Sequence, residues 1–476
     1  VNALLSVLAL ALFMLIALST PEGPAAALVC VAVAAVAGVF VSRVKEDSQF
    51  LIRVFVAALL VRVLIGALIY FFKLQEFFGG DAFTYDIAGS MLLKFWQGGM
   101  GHLTYKEVFA DTLRQNWGMP YMVAGVYAVA GRNMLATQFV NAVMGAATSP
   151  VIYLCARHIF QSVRSARLAA LLVAFYPSLV LWSSQGLKDG PIVFLLTVAM
   201  FATVKLGERL SGKYGLMLIG AMLGLLAFRF YIFYMLAAAV AGAFVIGMRK
   251  WTGRSLARQF AAVVTLGMAL TYVGVLRTAS AQFETYGNLE VVQRSRADLA
   301  TSASSGFGQD VDVSTTSGAL SAIPLGMTYL LFAPFPWQLA SLRQSITLPE
   351  MVVWWGSFPL LVMGLWFTLR YRMRPALPIL IFTTMLTLAY SVFQGNVGTA
   401  YRQRSQILVF YFIFVAVGAV LVKERQEDRR RQEAQVKAEM LAARREEGRR
   451  NYERWKRERG GELESIAREL SRKVKG

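Results

Sequence analysis

The sequence predicts an all-α, polytopic integral membrane protein of about twelve transmembrane helices, with short membrane-dipping helices besides. Three observations predict it. Of 476 residues, 57% are hydrophobic and only 16% are charged, where a soluble domain carries about 25% charged residues. The apolar residues gather in runs near the roughly 20 needed to cross a bilayer as a helix. Those runs do not alternate apolar and polar residues, as the strands of a membrane barrel must. The same composition excludes collagen-like, disordered and disulfide-scaffold chains.

In chain order the spans fall at 3–19, 25–42, 50–72, 134–156, 167–183, 190–206, 214–229, 230–248, 259–276, 351–368, 376–393 and 406–422. The first has no basic residues ahead of it and no clear small-x-small cleavage site, so it reads as a retained helix rather than a signal peptide. Two shorter, proline-containing stretches, 118–131 and 324–340, read as spans or as half-embedded helices. Cys30 and Cys155 lie in apolar segments and read as small core residues rather than a disulfide or a metal site.

Orientation follows from the basic loops. Clusters stand at Arg43/Lys45, Arg157/Arg164/Arg167, Lys205/Arg209/Lys213, Arg249/Lys250/Arg254/Arg258 and Arg370/Arg372/Arg374, and the tail opens at Lys423. All fall on one side only if the two short stretches do not cross. Both termini are then cytoplasmic, and 73–133 and 277–350 become extracytoplasmic regions. Much of the net charge of +20 is thereby topology, not a nucleic-acid footprint, and no nucleic acid is expected as a partner.

Against this background a few ionisable residues stand out on the outer face, where membrane depth makes them costly. Asp81 follows Gly79-Gly80 directly after a long span, with Tyr85 and Asp86 just beyond. The low dielectric there raises a carboxylate toward the range of a useful base. Asp86 equally serves as a turn residue and Tyr85 as an interfacial aromatic. Asp189, in Lys188-Asp189-Gly190-Pro191, suits a helix start as well as a site, and Lys188 a phosphate contact or an ordinary loop charge. Arg229 sits between two spans. Arg402 and Arg404 break the positive-inside pattern just before the last span, reading either as an ordinary basic loop or as a phosphate clamp whose neighbouring glycines admit a ligand. Arg53 and Arg62 are nine apart in one span, on roughly opposite faces, with Arg62 turned to the interior. His102 and His158 are too isolated for a metal site. The aspartates permit a divalent cation as a metal ligand set, but no spacing demands one.

A span followed by Gly80-Asp81-Ala82-Phe83-Thr84-Tyr85 resembles the GT-C superfamily of membrane glycosyltransferases, and more narrowly its protein mannosyltransferase and aminoarabinose transferase branch (glycosyltransferase family 39-like). Gly118-Met119-Pro120-Tyr121 resembles the start of that family's short helix. Asn141 through Arg157 to Leu171 resembles its next helix pair, and Pro177–Trp182 with Lys188-Asp189 the approach to its second outer acidic site. The resemblance covers about 50–250 and is weaker around Pro334–Trp337 and Arg402–Arg404. The chain departs from it at Ala82, where the mannosyltransferases carry Glu, at Met119, where they carry Pro, and in the two spans ahead of the usual first one. The resemblance implies a polyprenyl-phosphate sugar as donor, with Asp81 and Asp189 as the catalytic carboxylates. Tyr85, Asp86, Lys188, Arg229, Arg402 and Arg404 are the candidate substrate-binding residues, the cations serving the leaving phosphate. No P-loop or dinucleotide fingerprint is present, and no cofactor is required.

The chain therefore divides into an N-terminal helix pair (1–49), a GT-C-like module (50–277), an extracytoplasmic loop with a re-entrant segment (278–350), C-terminal membrane helices (351–422) and a charged helical tail (423–476). The Ser-, Gly-, Thr- and Asp-rich 302–321 reads as a flexible connection or a lid. The tail carries 18 basic and 12 acidic residues. Leu463, Ile466, Leu470 and Val474 share one face of it, suited to anionic lipid or a protein partner. Expected function is transfer of a sugar to an envelope glycan, lipid or protein acceptor on the outer face of a bacterial cytoplasmic membrane. A polysaccharide polymerase or ligase leaning on Arg402 and Arg404, and a lipid-linked glycan flippase, are the alternatives. A flippase predicts internal repeats, and none is evident in the sequence.

Overall fold

Proline and glycine mark some of the breaks between helices. A computed structural model describes residues 3–101, 104, 107, 117–209, 211–246, 288–301, 305–339 and 341–474. All its regular structure is helical, and the described residues hold no strand, only an isolated bridge between Gly306 and Asn396.

The first helices are α1 (Ala3–Ser19), α2 (Gly23–Ser42) and α3 (Ser48–Phe71), followed by the short α4 (Gln75–Gly79) and α5 (Asp81–Trp96). Next come α6 (Gly118–Ala130), α7 (Met134–Phe160), α8 (Val163–Phe175), α9 (Pro177–Ser183), α10 (Asp189–Glu208), α11 (Gly212–Phe228) and α12 (Phe230–Ile246). Then follow α13 (Leu289–Thr301), α14 (Thr316–Phe332), α15 (Leu342–Tyr371), α16 (Met373–Phe393) and α17 (Val397–Lys473). The span expected at 259–276 lies outside the described residues, as does His102.

Among the described residues, seven helices, α2, α3, α7, α10, α15, α16 and α17, are long and apolar enough to cross a membrane, and α8 with α9 makes an eighth if the bent pair is one span. The chain is a multi-pass membrane protein. Length alone does not reach the expected dozen among the described residues: α6, α11 and α14 are apolar but only 13–17 residues long, and α1 and α12 run to the edge of the described residues.

The chain divides into two compact units, Val1–Gly418 and Ala419–Gly476. In the first, α7 is the hub and packs against α2, α3, α8 and α10. Small residues allow this: Gly145 on α7 faces Ser183, where a Cβ would come within 2.4 Å of the serine side chain. Asn133 caps α7 by accepting from the Ala136 amide at 2.8 Å. Gly131, with φ +72°, makes the reversal from α6 that a residue with a Cβ resists.

The α8–α9 break has a clear cause. Pro177 has no N–H for the Val173 carbonyl, and the chain bends there by 54°. Arg62 of α3, buried as the sequence predicts, donates to the orphaned carbonyls of Ala174 (2.7 Å) and Val173 (3.4 Å) and to Ser183 Oγ (2.9 Å). Cys30 and Cys155 are buried free thiols.

From Lys423 the helix of the second unit is solvated on all sides and carries i,i+4 pairs such as Arg429–Glu433 and Glu446–Arg450.

Candidate active site

Four helix ends of the first unit supply the site: the start of α5, the start of α10, the α11–α12 junction and the first turns of α17. Asp81 is the first residue of α5 and Asp189 the first of α10. Arg402 lies five residues into α17. Its Nε and Nη2 meet Asp189 Oδ2 at 2.7 and 2.6 Å, and its Nη1 meets Asp81 Oδ2 at 2.8 Å. One guanidinium thus joins two carboxylates that are 108 positions apart in sequence.

The two pairings differ in kind. The Asp189 side chain is 1% exposed, so its two-pronged contact is desolvated and strong; Asp81 is 54% exposed and its contact is screened. The turn carrying Asp189 is fixed from below. Asn141 of α7 donates to the carbonyls of Gln185 (2.6 Å) and Leu187 (2.7 Å). The Trp182 ring lies 5.9 Å from the Arg402 guanidinium carbon and supports it.

Arg229 stands in extended backbone between α11 and α12, φ −161° and ψ 91°, buried against the Tyr231 ring at 5.6 Å. Its Nη1 has no hydrogen-bond partner among the described residues. Gly118 lets the start of α6 close on this junction, where a Cβ would meet the Ala227 carbonyl carbon at 2.9 Å. Lys188 shares the field of Arg229, Asp189, Arg402 and Asp81; burial, and next Arg229, pulls its ammonium down to about 8. Tyr85, one turn after Asp81, shares its face. Burial, and next the Asp81 carboxylate, pushes its hydroxyl up to about 12.

The structure therefore brings Asp81, Tyr85, Lys188, Asp189, Arg229 and Arg402 together, and turns two expected partners away. Asp86 is bound by Arg132 and accepts from the Tyr127 hydroxyl at 2.5 Å. Five positions on a helix are about 140° round the axis, so Asp86 cannot share the face of Asp81. Arg404 is 1% exposed and donates to the carbonyls of Leu331 (3.0 Å) and Ala333 (3.1 Å) at the end of α14. The expected two-arginine clamp is thus not formed, because α17 begins at Val397 rather than near 406, and residues two apart on a helix face nearly opposite ways. The neighbouring Gly395 serves packing: a Cβ there would meet the Arg296 carbonyl at 2.5 Å. Among the described residues no three His, Cys, Asp or Glu side chains gather closely enough to hold a metal ion. Trp182, Asn141 and Arg132 complete the arrangement; nothing in their local sequence singles them out for it.

Residues 117–275 match the family model of dolichyl-phosphate-mannose-protein mannosyltransferases. That segment is similar to a GT-C family of membrane glycosyltransferases. The matched segment holds Lys188, Asp189 and Arg229; Asp81 and Arg402 lie on either side of it. Among solved structures, the apo Archaeoglobus fulgidus oligosaccharyltransferase is similar at 14% identity and a TM-score of 0.46, over 82% of this chain and 52% of that one. The oligosaccharyltransferase AglB of the same organism, in complex with an inhibitory peptide and a dolichol-phosphate, gives 14% identity, a TM-score of 0.43 and coverage of 80% and 51%. The chain spans about half the length of these structures. No curated protein matches it.

Proposed function

We propose that the protein transfers a sugar from a polyprenyl-phosphate donor to an envelope glycan, lipid or protein acceptor, on the extracytoplasmic face of a bacterial cytoplasmic membrane. The observation that carries this reading is the bridge of Arg402 between an exposed and a buried aspartate, beside Arg229 and Lys188. Two carboxylates against three cations leave one positive charge, which suits the single charge of a phosphodiester-linked donor.

In this reading Arg229 and Lys188 hold the phosphate as it becomes the leaving group, where fixed cations stabilise developing charge best. Asp189 keeps Arg402 in place. Asp81 accepts the proton of the acceptor hydroxyl while its oxygen attacks the anomeric carbon and the carbon–phosphate oxygen bond breaks. The transition state has oxocarbenium character, as in glycoside hydrolysis. The exposed Arg402–Asp81 contact yields as the donor phosphate draws on the same guanidinium, and that frees Asp81 to act as base.

Asp81→Asn keeps the size and polarity of the side chain and removes its basicity. Its transfer rate in membranes should fall about 10²–10⁴-fold, the span of general-base catalysis, with the protein still folded and inserted. Mass spectrometry of lipid-linked and surface glycans from cells with each form gives the readout. Wild-type glycans from the Asp81→Asn protein would refute the role of Asp81.

A further inference from the structure

We infer that Glu350, outside the reacting groups, is a positioning residue that sets the aromatic support of Arg402. It lies in α15, 6% exposed, on a helix with no other residue in the site. Its Oε2 accepts from the Tyr401 hydroxyl at 2.9 Å. The same carboxylate lies near Ser178 in the first turn of α9, with its Oε1 buried and making no hydrogen bond among the described residues. That turn follows Pro177, so its amides have no carbonyl inside the helix, and a carboxylate is the natural group to receive them.

These two contacts join α17, which carries Arg402, to α9, which carries the Trp182 ring beside it. Tyr401 precedes Arg402 on α17 and packs against Trp182 of α9, ring centres 6.3 Å apart and edge to face. Trp182 in turn lies under the Arg402 guanidinium. Fixing the Tyr401 hydroxyl and the α9 start by one carboxylate therefore fixes the Tyr401–Trp182 pair on which Arg402 rests. An unneeded buried carboxylate at membrane depth would be costly, and Glu350 touches neither Asp81, Asp189 nor Arg402.

The role in transfer rests on the function proposed above; the role in positioning does not, and two measurements separate them. The first needs no substrate. The detergent-solubilised full chain is treated with phenylglyoxal, and modification of Arg402 is followed by peptide mass spectrometry. Glu350→Leu should raise the Arg402 rate about tenfold, Tyr401→Phe should do nearly the same, and the double variant should add little, since the residues act as a unit. Glu350→Gln, which still accepts from Tyr401, should restore most of the protection. A wild-type Arg402 rate in folded Glu350→Leu, or additive effects in the double variant, overturns the proposal.

The second measurement is transfer. kcat should fall about tenfold in both single variants with acceptor KM little changed, and Glu350→Gln should recover. Raised Arg402 modification with no sugar transfer by any form, wild type included, would uphold the positioning and refute the proposed reaction. If Glu350→Leu fails to fold, Tyr401→Phe, which removes only a hydroxyl, carries the test alone.

Discussion

Lys188 shows how much the site depends on single charges. Burial and the neighbouring Arg229 hold its ammonium near 8, against 10.5 for a free lysine. Donor binding that uses this charge should weaken as pH rises through about 8. A charge-assisted contact contributes about 1.5–3 kcal/mol, so the loss should be roughly 10–100-fold in affinity for a short-chain polyprenyl phosphate. Lys188→Arg should keep affinity flat past pH 10, because guanidinium does not titrate there. Stability runs the opposite way. Between about 8 and 10.5 the unfolded chain holds the proton that the folded chain has lost, so unfolding free energy rises with pH over that window. Titration of binding from pH 7 to 9.5 in detergent decides it: equal affinity throughout would show that Lys188 does not contact the phosphate. The sequence makes Lys188, Asp189, Asp81 and Arg229 legible because each is a charge at the end of an apolar run. It misassigns Asp86 and Arg404 because their stretches read as loops, and only the helical phase of α5 and α17 turns them away.

At the scale of elements one device appears twice. Pro177 deprives the Val173 carbonyl of its donor, and Arg62 supplies one; Pro334 deprives the Leu330 carbonyl, and Arg404 reaches it at 3.4 Å and its neighbours more closely. In each case a buried arginine on another helix finishes a helix that proline has cut. Unsatisfied carbonyls are costly in a membrane, and so is a lone buried guanidinium, so each offsets the other. Arg62→Met should destabilise the protein by about 1–3 kcal/mol for each carbonyl left bare, read as a lower midpoint of thermal unfolding in detergent. Pro177→Ala should return part of that loss in the Arg62→Met background, since an alanine there brings an N–H for the Val173 carbonyl, yet gain nothing in the wild type. Identical effects of Pro177→Ala in both backgrounds would mean that the two residues are not coupled. The interior position of Arg62 is legible from its place in the third span. Its targets are not, because they lie 111 and 112 residues away.

For the whole molecule, run length made the long spans legible, and it also explains why their number is harder to read. The 17-residue α11 reaches only about 26 Å at 1.5 Å per residue, short of the ~30 Å hydrocarbon core. It ends at the buried Arg229, where α12 begins, so the break sets a cation beside Asp189. The 13-residue α6 and the 17-residue α14 are shorter than a span for the same reason, and whether they cross sets the sidedness of everything after them. We expect neither to cross. In that arrangement the basic turns at Arg164, Lys213 and Arg374 face the cytoplasm and the start of α5 faces outward, as a site at the ends of α5, α10 and α17 requires. Single cysteines at the exposed positions Thr84, Arg164, Lys213 and Arg374, in a background without Cys30 and Cys155, test this with an impermeant maleimide on sealed vesicles of known orientation. Thr84→Cys should react from one side and the other three from the opposite side. Reaction of Thr84→Cys and Arg164→Cys from the same side would mean that α6 crosses. Opposite reactions of Lys213→Cys and Arg374→Cys would place an odd number of crossings between them, and the outer position of Arg402 would then need a different path for α14.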